Sequence, residues 1–252
     1  MKHANLITIE QLHEEPYASI ICYPRTSKAE LRNRLKELQK LGVSALGFAG
    51  EKLVFGKPVL GKGCVGIVTL ARVKGRKAAL KIRRVDADRV KMQREAQLLK
   101  KANSVKVGPK LLDVTRNFML MQFVDGNLLP DWLTKKPDKA KTKKITRDIL
   151  EQCFHLDEIG LDHGELSHAP KHVLVSKKCR PFIVDFETAS LNRRPSNVTS
   201  ICQFLFFSTE VGTQIAELTG ETDREVILEA LRRYKLDRSR ANFQNVLLAC
   251  GL

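Results

Sequence analysis

"LGKGCVGIVTLARVKGRKAALKI", residues 60–82, holds Gly61, Gly63 and Gly66 in the spacing G-x-G-x-x-G. Glycines so spaced let a backbone approach a phosphate closely, and the residues after the third glycine separate the folds that share the spelling. In a dinucleotide-binding fold the third glycine opens a helix. Here a β-branched, alternating stretch around Val68 and Leu70 predicts a strand, "KGR" at 74–76 a turn, and "KAALKI" at 77–82 a second strand. A P-loop needs Gly-Lys-Ser/Thr at its end, and Gly66 is followed by Ile67. The use that remains is a glycine-rich hairpin folded over nucleotide phosphates.

Upstream, "TSKAELRNRLKELQKLG" (26–42) predicts a helix with Ser27 and Glu30 as a capping box, Leu31, Leu35, Leu38 and Leu41 on one face, and Gly42 as its stop. A β-like stretch leads from there to the glycines, so residues 1–50 read as an extension of helix plus strand. Downstream, "DADRVKMQREAQLLKKAN" predicts a helix, "NFMLMQFVDG" a buried strand, and "KAKTKKITRDILEQCFHLDEIG" a long amphipathic helix closed by Gly160. "HVLV" and "PFIVDF" predict two short strands, and Thr222 with Glu225 a capping box before "VILEALRRY". The order is a β-rich half at 51–124 and a helical half at 125–252.

Hydrophobic residues make up 43% and charged residues 29% of the 252, a globular composition. No apolar run approaches the ~20 residues of a membrane span, and the N-terminal stretch lacks the apolar core of a signal peptide, so the expected location is the cytoplasm. The six cysteines show neither C-x-x-C nor zinc spacing and read as reduced thiols. The net charge of +16 favours an anionic partner such as RNA, concentrated in "KGRKAALKIRR" and "TKKPDKAKTKK"; the plainer alternative is a lysine-rich surface. Aromatic residues for base stacking are scarce, at 6%.

Five pieces stand in order: the glycines, Lys81 in "AALK", Glu95 in "REAQLL", "LMQFVDG", and "DHGELSHAPKHVLV" followed by "VDFE". From residue 60 to about residue 190 the chain resembles the protein-kinase-like superfamily. As a whole it is similar to archaeal predicted serine/threonine kinases, close to the RIO branch and to the kinase subunit of the tRNA-modifying KEOPS complex. The resemblance implies an α+β, two-lobed fold with a β-rich N-lobe and a compact helical C-lobe, binding ATP with Mg²⁺ or Mn²⁺. It places Gly61, Lys62, Gly63, Cys64, Gly66 and Val68 around the phosphates. Lys81 falls on the α- and β-phosphates, with Glu95 as its ion-pair partner. Met121 falls at the back of the adenine pocket, Gln122 to Val124 at the adenine hinge, and Asp185 on the metal.

The pattern also departs from that family. Glu165 in "HGEL" stands where kinases carry the catalytic Asp. Five residues on, where the family has a metal-binding Asn, this chain has Pro170; either His172 takes that place or the second metal is absent. Lys171 is placed to meet the γ-phosphate, and His163 to brace the loop. "DFE" replaces D-F-G, as in aminoglycoside and choline kinases, and no A-P-E motif or long activation segment follows. Arg193 and Arg194 lie where an acceptor could approach. The leading expectation is a RIO-like serine/threonine protein kinase or slow ATPase. A small-molecule kinase is the second, and a pseudokinase serving as a basic RNA- or ribonucleoprotein-binding module the third.

Overall fold

β-Branched alternation on both sides of Lys74-Gly75 makes a hairpin the direct pairing for residues 66–83, and a seven-stranded antiparallel sheet is built around it. The computed structural model describes residues 5–252; the first four residues of the expected N-terminal extension lie outside the described part. The chain runs β1 (Asn5–Thr8), α1 (Tyr17–Ile21), α2 (Lys28–Lys40), β2 (Val43–Phe48), β3 (Lys52–Val54), β4 (Lys57–Val59), β5 (Gly61–Lys62), β6 (Gly66–Val73), β7 (Arg76–Arg83) and α3 (Arg89–Ser104). Next come β8 (Leu111–Val114), β9 (Phe118–Gln122), β10 (Gly126–Leu128), α4 (Leu129–Leu133), α5 (Lys139–Glu158), β11 (Val173–Ser176) and β12 (Pro181–Ile183). Four helices follow: α6 (Asn197–Cys202), α7 (Val211–Thr219), α8 (Arg224–Leu236) and α9 (Arg240–Ala249). No helix among the described residues is long and apolar enough to cross a membrane.

The chain divides into two compact units, one made of residues up to Lys100 with Pro109–Phe123, the other of Lys101–Gly108 with Val124–Leu252. In the first, the sheet order is β1-β2-β6-β7-β9-β8, with β5 also pairing β6. Lys74 and Gly75 turn the β6–β7 hairpin with φ of 47° and 76°, the double left-handed turn that matches strand twist. Residues 5–48, expected as an extension, supply two strands of this sheet, and Leu12, Ile20, Ile21 and Leu38 pack in its core with Leu46, Ile67, Leu80 and Ile82.

Helix α2 is held to the sheet by charge as well as by leucines. The guanidinium of Arg34, fully buried, donates to the carbonyls of Ile21 (2.7 Å) and Arg83 (2.6 Å), to Glu30 Oε1 (2.7 Å) and to Asn117 Oδ1 (3.2 Å). Arg83, also buried, sends Nε and Nη2 to the same Asn117 oxygen at 3.1 and 2.7 Å. Asn117 donates in turn to Glu37 through its backbone N–H (2.9 Å) and its amide (2.5 Å). Burial, and then the neighbouring Arg34, lowers the affinity of Arg83 for its proton. Ser27 caps the helix as expected, but Glu30 turns to Arg34 rather than back to the cap, so the reciprocal half of the box is missing.

In the second unit, β10-β11-β12 form a small antiparallel sheet beside a helical body. Ile145, Ile149, Cys153 and Leu156 of α5 are buried as its periodicity predicts, and Phe154 stacks on Phe243 at 4.5 Å. One turn on, the buried Asp157 accepts from Asn197 N (2.9 Å) and Nδ2 (2.8 Å), Val198 N (3.2 Å) and the Tyr234 hydroxyl (2.9 Å), joining α5, α6 and α8. Burial raises the Asp157 carboxyl, opposed by those donors. The cap of α8 lies one residue later than expected: Asp223, not Thr222, accepts from Glu225 and Val226 N–H. An aspartate is the stronger acceptor for orphan amides at a helix start.

Asn117→Ala removes an acceptor shared by two buried guanidinium groups. Hydrogen bonds to charged groups contribute about 1.5–3 kcal/mol each, so a loss of about 3 kcal/mol or more is expected in the urea transition of the first unit. An unchanged midpoint would mean that the network does not hold α2 in place.

Candidate active site

Gly66 has no room for a side chain: a Cβ there would lie 2.5 Å from the Ile82 carbonyl oxygen on β7. A Cβ at Gly61 or Gly63 would make only ordinary contacts, at 3.6 and 3.7 Å. The third glycine is thus required for strands to close, whereas the first two leave the outer face bare. Between them the chain folds back through Gly63 N–H to Gly66 O (2.9 Å), with Val65 buried and bonded through its carbonyl to Arg84 N (2.8 Å). Lys62, Gly63 and Cys64 are exposed, and Val68 lies half-buried opposite Lys81 in the hairpin register.

Strand alternation sends Leu80 and Ile82 into the core and Lys81 to the other face. Lys81 Nζ there meets both carboxylate oxygens of Glu95, on α3, at 2.8 and 2.6 Å. Both residues are nearly fully buried, at 6% and 3% exposure, which separates this pair from a solvated surface contact. Met121 is half-buried near the end of β9, opposite Ala79. Gln122 is exposed and doubly tied to Lys110, donating to its carbonyl (2.8 Å) and accepting from its N–H (3.2 Å). Val124 is half-buried at the start of the second unit.

In the second unit, His163 is buried and held through its backbone, Nε2 and ring face, with Nδ1 unpartnered. Its backbone N–H donates to Asn197 Oδ1 (2.8 Å), its Nε2 lies 3.1 Å from the Val184 carbonyl, and its ring meets Phe186 edge-on at 5.1 Å. Gly164 follows with φ of +90°, and a Cβ there would strike the Arg193 guanidinium at 2.4 Å. This left-handed step delivers Glu165, about a third exposed, to the start of a short 3-10 turn (Leu166–His168). Glu165 Oε2 lies 2.8 Å from Nε2 of the buried His172, a close approach off the line of a hydrogen bond. Burial lowers the affinity of His172 for a proton. The two imidazoles sit 5.4 Å apart. Lys171 is exposed.

Asp185 holds a left-handed φ of +67° just past β12, strain that a non-glycine residue keeps only where its surroundings enforce it. The Val184 N–H bonded to the His172 carbonyl (2.9 Å) and the buried Phe186 supply that enforcement. Asp185 and Glu187 bring carboxylate oxygens within 4.8 Å of each other, a hard-oxygen pair of the sort that suits Mg²⁺ or Mn²⁺. Glu187, whose carboxylate could share a cation with Asp185, was not singled out in the sequence, although its place two residues after Asp185 was visible. Arg193 and Arg194 do not stand free for an acceptor. Arg193 pairs with Asp162 (2.9 Å) and donates to the Thr188 carbonyl (2.7 Å), and Arg194 donates to the Lys235 carbonyl (2.7 Å).

A seven-stranded antiparallel sheet with a lysine–glutamate pair between strand and helix, followed in the chain by a helical unit carrying the acidic loops, defines the two-lobed α+β fold of the protein-kinase-like class. Residues 70–199, more than half of the chain, match the RIO domain family, and the chain belongs to that family. It is 30% identical over 117 residues to an uncharacterized protein of Methanocaldococcus jannaschii, a match covering 46% of this chain and 98% of that one. It is 26% identical over 197 residues to CBL-interacting protein kinase 21 of Oryza sativa, covering 72% of this chain and 37% of that kinase. Protein kinase kin1 of Schizosaccharomyces pombe is 28% identical over 93 residues, 36% of this chain and 10% of that kinase. The chain therefore spans only a part of either named kinase.

Burial pushes the His163 imidazole down from 6.5 to about 4. With the folded value below the unfolded one, its contribution to stability is complete above about pH 6.5 and is lost as the pH falls through about 4. A shift of this size corresponds to about 3 kcal/mol. Urea midpoints compared between pH 7 and 4.5 should fall more steeply for the wild type than for His163→Gln; parallel slopes would place the pH dependence elsewhere.

Proposed function

We propose that the protein is an ATP-dependent phosphotransferase acting on the serine or threonine hydroxyl of a protein in the cytoplasm, with slow ATP hydrolysis as the same chemistry when water is the acceptor. The observation that carries this reading is the buried pair between Lys81, on the strand next to the glycine hairpin, and Glu95 on α3. A lysine ammonium held by carboxylate in a nearly dry site is a fixed cation of the kind that a nucleotide's α- and β-phosphates need. The bare outer face at Gly61, Lys62, Gly63 and Cys64 covers the phosphates, with Val68, Met121, Gln122 and Val124 around the base. A divalent cation held by Asp185 and Glu187 would neutralise charge between the β- and γ-phosphates. His172 is not assigned to the metal, since imidazole is a poor ligand for Mg²⁺ and its Nε2 lies 2.8 Å from a Glu165 oxygen.

In the transfer, the bond from the acceptor oxygen to the γ-phosphorus forms as the bond from that phosphorus to the bridging oxygen of ADP breaks. The hydroxyl proton passes to Glu165, and exposed Lys171 meets the charge on the transferred group. Most of the barrier reduction comes from positioning and charge neutralisation.

Mg²⁺-ATP at 100 times its Kd stabilises a binder by about 2.7 kcal/mol, so the wild type should show a clear thermal shift. Lys81→Ala and Asp185→Ala should each lose most of it. Equal shifts in all three proteins would remove the proposed nucleotide site. Glu165→Gln should keep the shift and lose turnover on the order of 10²-fold or more, scored with radiolabelled ATP and cell extract. Label in protein supports the proposed acceptor. Label in a small molecule replaces it with a small-molecule kinase, and no turnover with intact ATP binding points to a pseudokinase.

A further inference from the structure

The two lysine-rich tracts that stand out in the sequence are partly occupied by internal contacts. Lys81 and Arg83 are buried, and Arg84 pairs with Asp86 at 2.7 Å. In the second tract Lys141 pairs with Asp138 (2.7 Å), Lys144 with Asp148, Lys135 with Asn127 (2.6 Å), and Lys143 with the Gly251 carbonyl (2.5 Å). Lys74, Arg76, Lys77, Lys136 and Lys139 of these tracts are exposed without a partner among the described residues, but only α2 carries its unmatched cations at a regular interval.

Lys28, Arg32, Lys36 and Lys40 recur every fourth residue along this helix, and all four are exposed. No hydrogen bond or ion pair engages any of their side chains among the described residues. Such residues form one ridge, a cation about every 6 Å along the axis. Like charges at this spacing repel, and Lys28 also meets the positive end of the helix dipole. A solvated helix face alternates its signs instead. The only acidic residues of α2, Glu30 and Glu37, bond to Arg34 and Asn117 and make no ion pair with the ridge. Glu30, Asn33, Lys36, Glu37 and Lys40 of α2 line, with Arg116 and Asn117 of the β8–β9 turn, a cavity of about 330 Å³; its two carboxylates are engaged by Arg34 and Asn117, whereas Arg116 has no partner among the described residues.

We propose that the α2 ridge and this cavity bind the phosphate backbone of a nucleic-acid strand, with Arg116 as the anchor. A row of cations at a short, regular interval fits a ligand whose own charge repeats regularly, and the guanidinium offers the planar fork that suits a phosphate. With few aromatic residues to stack on bases, recognition is of backbone rather than sequence. The site stands on the first unit alone and is independent of the nucleotide site proposed above.

The test is titration of labelled single-stranded RNA across a salt series with the full chain. The wild type should bind, with log K falling linearly against log salt. The triple variant Lys36→Gln, Lys40→Gln and Arg116→Gln should lose about 2 from that slope, at ~0.7 per cation removed. It should keep the wild-type melting temperature, or exceed it, because repulsion within the helix is relieved. A variant of equal charge change on α5, Lys139→Gln, Lys141→Gln and Lys144→Gln, should bind like the wild type. Equal losses in the two variants would reduce the effect to net charge and overturn the site. So would absence of RNA binding by the wild type at ~50 mM salt, or displacement by an acidic peptide as readily as by RNA.

Discussion

One side-chain oxygen, Oδ1 of Asn117, accepts from two buried guanidinium groups, and the first unit is organised around it. Two cations in one apolar region would repel and lose their hydration. They stay because carbonyls of Ile21, Arg83, Arg84 and Ala87 take the other N–H groups, while Glu30 and Glu37 supply the opposite charge at the rim. Arg83 lies two residues after Lys81 on the same strand, so the contacts that fix α2 also fix the end of the strand bearing the buried lysine. An arrangement of this kind specifies geometry more than it adds stability, because a misplaced α2 would leave both cations unpaired.

Legibility in the sequence tracks how local each cause is. The β6–β7 hairpin and the place of Lys81 on its second strand were legible because strand period and a Lys-Gly turn act over a few residues. Gly66 was legible as glycine, though its reason, the carbonyl of Ile82 on the next strand, emerges only when the strands pair. Arg34 was not singled out in the sequence, since its partner Asn117 stands 83 residues away and nothing in either neighbourhood signals the other. The pairing of Arg193 with Asp162 was not legible for the same reason, since the two meet only through folding. The α8 cap was displaced by a single residue because Thr222 and Asp223 are both fit for the role, and the better acceptor took it.

The two acidic loops of the second unit share one constraint, a backbone step into the left-handed region beside a buried imidazole. Gly164 takes that step before Glu165 and Asp185 takes it in its own right. His163 stands between them, touching Val184 through Nε2 and Phe186 through its ring. The two carboxylates are thereby set by one rigid group, so a change at His163 displaces both at once, and their effects should not be additive.

The thiols of this protein have unequal access to solvent: Cys64 alone is exposed, Cys179 is half-buried, and Cys22, Cys153, Cys202 and Cys250 are enclosed. The exposed one sits at the tip of the glycine hairpin. A maleimide dye or an acrylamide electrophile thus has a single open attachment point, and that point is beside the phosphates of the proposed nucleotide. The wild-type chain carries its own handle for a fluorescent occupancy sensor or a covalent inhibitor, with no cysteine to be introduced.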